Sequence, residues 1–185
     1  GFRFNHRACP GKIVMTINDL SFAYDGKPEN NILSDLSFAI GRKDRIGIIG
    51  ANGKGKSTLI NCLAGELMPD SGSITKHPSV NLGHFGQTNI DRLEPQNRVL
   101  DEILSANPNL SLQTAHSICG AMMFDGDLSK KKVSVLSGGE RSRVLLGKII
   151  SHPTNLLLLD EPSHHLDVES IEALIEELDD YDGAI

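Results

Sequence analysis

Tryptophan is absent, and only two tyrosines and six phenylalanines occur among 185 residues, so a single well-placed aromatic ring carries unusual weight. Cysteine is also scarce. Cys9, Cys62 and Cys119 are odd in number and far apart, which leaves neither a disulfide framework nor a metal-ligand spacing in view. They read as buried or incidental thiols in a reducing cytosol. No apolar run approaches the roughly 20 residues needed to span a bilayer, and no signal peptide is visible. The expected setting is therefore cytoplasmic, without a membrane span. An excess of positive charge is missing too. The net charge is −6, so direct DNA binding is not indicated, although a local basic patch is compatible with that figure.

A chain of this length makes one domain, or one with a small inserted lobe, and buries roughly 70% of its unfolded surface. It starts at Gly1, and Ala184-Ile185 reads as the opening of a further strand. The expectation is a fragment of a longer protein. Residues 1–12 contain Pro10-Gly11 and no periodicity, and are expected to be a linker or disordered end.

What is present is organised around Gly50-Ala51-Asn52-Gly53-Lys54-Gly55-Lys56-Ser57-Thr58. It fits glycine, four residues, glycine, lysine, then serine or threonine. Residues 45–49 read as a short buried strand before it, and residues 59–64 as a helix after it. Glycines at 50, 53 and 55 permit backbone conformations that a Cβ forbids, so successive N–H groups can turn inward around an anion. The helix beginning near Lys56 adds its positive end. Lys56 is expected to reach the outer phosphates, and Ser57 to place its hydroxyl on Mg²⁺.

Upstream, residues 13–17, 19–24 and 32–40 read as strands. Tyr24 falls at a strand end shortly before the loop, where its ring either stacks on a purine or packs against the core. Downstream, residues 73–76 and 80–85 read as strands. Gln87 follows on the side where ligands sit in open α/β sheets, and it can offer a carbonyl to a metal. Residues 89–135 lose their strand signals and read as a mostly helical subdomain. Lys130-Lys131-Lys132 is the only basic run there, and reads as a solvated turn. Ser137, Gly138 and Gly139 open a second helix with anion-binding character at its start, running over residues 141–150.

Four consecutive leucines, 156–159, read as a fully buried strand of a parallel sheet. Asp160 and Glu161 emerge at its carboxyl end. One carboxylate beside a phosphate loop can hold Mg²⁺, and a second can take a proton from water. His164 and His165 are adjacent, point apart and lack a third ligand nearby, which does not favour a metal site.

Taken together, these pieces resemble the nucleotide-binding domain of ATP-binding cassette (ABC) proteins from residue 13 onward, with Leu136-Ser137-Gly138-Gly139-Glu140 matching the signature motif. The resemblance implies an α/β fold of the P-loop NTPase class. It has a mostly parallel core sheet, an N-terminal antiparallel β subdomain and an inserted helical subdomain. ATP and Mg²⁺ are the implied cofactors. Gly50, Asn52, Gly53, Lys54, Gly55, Lys56, Ser57 and Thr58 would hold phosphate, and Tyr24 would stack on adenine. Ser57, Gln87 and Asp160 would hold magnesium, and Glu161 would be the general base, with Lys56 and Gln87 assisting. Ser137, Gly138 and Gly139 would meet the γ-phosphate of a second cassette, either in the same full-length chain or in a homodimer.

The run Glu161-Pro162-Ser163-His164-His165-Leu166-Asp167 is similar to the Glu-Pro-Thr-Asn-His-Leu-Asp run of the ABC-F group, many of whose members act at the ribosome in translation. Serine and histidine replace threonine and asparagine here. The linker-like start suggests the second of two cassettes. A membrane transporter's ATP-binding subunit is the alternative. A chromosome-maintenance ATPase needs a coiled coil for which the interval from Ser57 to Ser137 has no room. The family's switch histidine would fall beyond Ile185, so weak ATP binding and little turnover are expected of this stretch alone.

Overall fold

The computed structural model describes residues 2–185. Its first half is an antiparallel sheet. Strand β1, Ile13–Phe22, lies between β2, Leu33–Gly41, and β3, Ser71–Lys76. The two strands expected at 13–17 and 19–24 are thus one, broken in register between Ile17 and Leu20. Asp19 takes a left-handed φ of 48° at the break. Gly72 on β3 makes that approach possible, because a Cβ there would stand 2.3 Å from the Asp19 carbonyl oxygen.

Helix α1, Lys56–Leu63, follows the glycine-rich loop. The second sheet is parallel: β4, Leu82–Phe85, pairs with β5, Leu156–Leu159. A one-residue parallel bridge joins Leu156 to Ala184 on the other side of β5. Between β4 and β5 run the short α2, Gln87–Asp91, then α3, Val99–Ala106, and α4, Leu112–Ala121. The thirteen-residue α5, Gly138–Ile150, completes that insertion. Helix α6, Val168–Asp179, comes after β5. Among the described residues no helix is long and apolar enough to cross a membrane.

The leucine run explains how the halves join. Leu156 and Leu158 belong to the core under the antiparallel sheet and α1, while Leu157 belongs to the core of α3, α4 and α5. A strand's side chains alternate, so a strand between two cores must be apolar on both faces.

Two expectations need correction. Residues 45–49 do not form a buried strand. Ile46, Ile48 and Ile49 are 42%, 37% and 97% exposed. The segment's backbone link is a short one: Ile46 N–H donates to the Ile185 carbonyl at 2.8 Å, and Ile185 N–H to that of Asp44 at 2.9 Å. A strand needs a partner along its length, and here an apolar cleft of 530 Å³ separates these isoleucines from β5.

Residues 2–9, expected to be a linker or disordered end, are instead docked. Arg7 N–H donates to the Thr154 carbonyl at 2.9 Å, and Thr154 N–H to that of Asn5 at 2.8 Å. Phe2 is buried in the helical core, and the Phe4 ring meets Tyr181 edge-on at 5.8 Å. Apolar anchors, not periodicity, hold this strap.

Candidate functional site

The loop between residue 50 and α1 keeps its amides free. Of the N–H groups of residues 50–55, that of Lys54 alone reaches a protein acceptor among the described residues, the Ala51 carbonyl at 3.3 Å. Gly55 caps α1 in a left-handed conformation, φ 96°, with no side-chain hydrogen bond and no acidic residue in the first turn. Adding a Cβ at Gly55 would bring it to 2.8 Å from Ile32 Cγ2. A row of unbonded amides leading into an uncapped helix start is an anion cradle. Lys56 lies across it. Its Nζ donates to the Gly50 carbonyl at 2.6 Å and stands 3.9 Å from Glu161 Oε1.

The acids arrive from the neighbouring strand. Asp160 N–H donates to the Phe85 carbonyl at 2.8 Å, which locks the ends of β4 and β5 together. Asp160 and Glu161 share the lining of the larger cleft with Lys56. A smaller cleft of 270 Å³ is lined by Glu161, Lys56, Ser57, Thr58, Asn52 and Tyr24, with others. The loop and the acidic strand end therefore meet through Lys56 and Glu161, which line both clefts. Glu161 is left-handed, φ 46°, although it is not glycine. That conformation costs of order 1–3 kcal/mol and is held by its surroundings. The 3-10 turn after it supplies one restraint: His164 N–H donates to the Glu161 carbonyl at 2.9 Å, and the His164 Nδ1 lies 2.8 Å from Glu161 Oε2.

Tyr24 is 67% exposed. Its edge meets Phe22, and its hydroxyl lies 3.1 Å from Thr58 Oγ1. The ring thus stands at the rim of the smaller cleft rather than in the core.

Ser137, Gly138 and Gly139 line neither cleft. The start of α5 is closed by its own residues: Ser137 Oγ accepts from Glu140 N–H at 3.2 Å, and Glu140 Oε2 from Ser137 N–H at 2.8 Å. That backbone donor holds the Glu140 carboxyl below the usual carboxylate range.

A sequence model described as ABC transporter matches residues 33–164. The chain belongs to this family. Among its curated relatives are the ABC transporter F family member 3 of Arabidopsis thaliana, 36% identical over 95% of this chain, and the ATP-binding protein Uup of Haemophilus influenzae, 38% identical over 95%. The ABC transporter ATP-binding protein ARB1 of Saccharomyces cerevisiae is 33% identical over 93%. The chain spans only 24%, 27% and 28% of their lengths, in that order. Among solved structures, a bacterial Atm1-family ABC exporter with ATP bound shares the fold at TM-score 0.74, with 21% identity over 95% of this chain and 34% of that one. The cbiO1 protein of Clostridium perfringens, part of an ABC transporter complex, does so at 0.64, with 22% identity over 95% and 77%.

Of the residues expected to hold magnesium, Ser57 lines the smaller cleft and Asp160 the larger. Gln87 stands apart: its Nε2 donates to Asp91 Oδ1 at 2.7 Å on its own short helix.

Two ties and one buried group escaped sequence reasoning, the ties because each pairs residues distant in the chain. Glu102, 2% exposed, binds Lys148 at 2.5 Å and accepts from Asn97 Nδ2 at 2.9 Å, joining α3 to α5. Arg143 donates to Asp167 Oδ2 at 2.5 Å, joining α5 to the cap of α6. Both ring nitrogens of His84 are buried without a partner among the described residues, and that burial pushes its pKa down.

Proposed function

We propose that this ABC domain binds Mg-ATP and, within its full-length protein, hydrolyses it as part of a cytoplasmic ABC-F-type switch. The observation that carries the reading is that Lys56 and Glu161 line two adjoining clefts, one taking in the open amide row and the other Asp160. Amides of residues 50–56 would wrap the phosphates, and the Tyr24 ring at the rim would take the base. Ser57 and Asp160 would hold magnesium, with Gln87 turning from Asp91 to join them. Bound there, the metal neutralises charge on the phosphate oxygens.

Glu161 acts as general base. An O–H bond of the attacking water breaks and its proton goes to the carboxylate. The water oxygen bonds to the γ-phosphorus, and the bond to the leaving ADP oxygen breaks. The first turn of α5 would meet the γ-phosphate of a second cassette, so that binding closes the pair and hydrolysis opens it. The loosely held flank at residues 45–49 supports slow turnover by this stretch alone.

An ATPase assay on the full-length protein tests the reading. Glu161→Gln should retain Mg-ATP and lose turnover, and intact turnover would remove Glu161 from its role. The ABC-F assignment, supported by the 36–38% identity to relatives including an F family member, points to the ribosome in preference to a membrane transporter. Co-sedimentation of the Glu161→Gln protein with ribosomes in ATP is the expected result. Its absence, with recovery of a membrane protein instead, would favour the transporter reading.

A further inference from the structure

Glu161 is a partly exposed carboxylate on a strained residue, yet a base must be aimed to within a fraction of an ångström of the proton it takes. Two groups face it. Lys56 Nζ stands 3.9 Å from Oε1, and His164 Nδ1 stands 2.8 Å from Oε2. The two contacts differ in what they can do during a reaction cycle. Lys56 now leans on the Gly50 carbonyl, and a triphosphate would draw its ammonium away from Glu161. His164 has no such second engagement, and its place is fixed by the chain: its own N–H donates to the Glu161 carbonyl at 2.9 Å, closing the 3-10 turn. Backbone and side chain of one residue thus grip the same glutamate.

We propose that His164 is a positioning residue for the base, donating Nδ1–H to Glu161 Oε2 and fixing the carboxylate so that Oε1 faces the cleft. This rests on the reading of Glu161 as the base. An exposed pair three residues apart contributes little to stability, so its use is orientation. The residue type is specific to that task. Asparagine, which the similar run has here, also carries an N–H donor on a short side chain; alanine carries none.

The test uses the full-length protein. His164→Ala should lower kcat about ten-fold while leaving KM for ATP and the melting temperature unchanged. His164→Asn should restore kcat to within about two-fold of wild type, because the donor returns. A second arm is independent of turnover. In ¹⁵N spectra of the histidine side chains, the Nδ1–H tautomer of His164 should be present without nucleotide, and its resonance should move in Glu161→Gln. An unchanged kcat in His164→Ala overturns the proposal. So does a loss that asparagine fails to restore, a rise in KM matching the fall in kcat, or an Nε2–H tautomer. If the wild-type protein shows no Lys56-dependent hydrolysis at all, the ATPase reading fails first, and the spectral arm still judges the contact.

Discussion

Helices α1 and α5 both start at glycine-bearing turns that offer backbone N–H groups and a positive dipole end, and they use them in opposite ways. At α1 the cap is Gly55, no side chain accepts from the first turn, and no acid lies in it. At α5 Ser137 and Glu140 close a capping box, so the N–H groups of residues 137 and 140 already have acceptors from the helix's own sequence. The first helix start has no side-chain acceptor of its own; the second supplies one from its own sequence. Their anchoring differs in the same direction. α5 is tied to α3 through Lys148–Glu102 and to the α6 cap through Arg143–Asp167, whereas the segment leading into α1 is exposed.

The largest effect should come from breaking the anchoring of α5. Glu102→Ala leaves Lys148 without its carboxylate beside a buried space and should cost about 3–5 kcal/mol in urea unfolding. Next, Lys56→Ala should raise the Kd for Mg-ATP about 100-fold in a fluorescent-nucleotide titration while the melting temperature holds. A similar loss from a mutation in the α5 start of the isolated chain would erase the contrast between the helices.

Ser137→Ala should destabilise by about 1 kcal/mol by removing the cap of α5; the corresponding change at α1 has no side-chain cap to remove. Smallest is Glu140→Gln, at about 0.3–1 kcal/mol and toward the low end because the carboxylate is partly solvated. Its pH dependence fixes the sign. The Ser137 N–H holds the folded-state pKa of Glu140 below the ordinary 4.5. Its contribution is therefore complete above pH 4.5 and is lost as pH falls through the lower folded value. Glu140→Gln should flatten that acid slope in thermal melts taken down the pH scale.

The glycine-rich loop, the leucine strand with its two acids and the signature turn were legible because each is local: spacing and residue type fix the backbone within a few positions. What stayed hidden depends on partners far along the chain. Glu102 reads as one more surface acid of a helix until Lys148 is folded beside it. Phe2 and Phe4 alternate too briefly to register as structure, yet dock a strap. Residues 45–49 have the composition of a buried strand, but composition supplies no neighbour. His164 is only three residues from Glu161, and what concealed their contact was the left-handed conformation of Glu161 at the head of the 3-10 turn, which the sequence Glu-Pro-Ser-His does not announce.

The contrast between the two helix starts is tested most directly by titrating the ¹⁵N-labelled chain with Mg-ATP, at a concentration where it is monomeric. The amide resonances of Gly53, Gly55 and Lys56 should move, and those of residues 137–140 should stay. Movement at residues 137–140 with an unmoved phosphate loop would contradict the account.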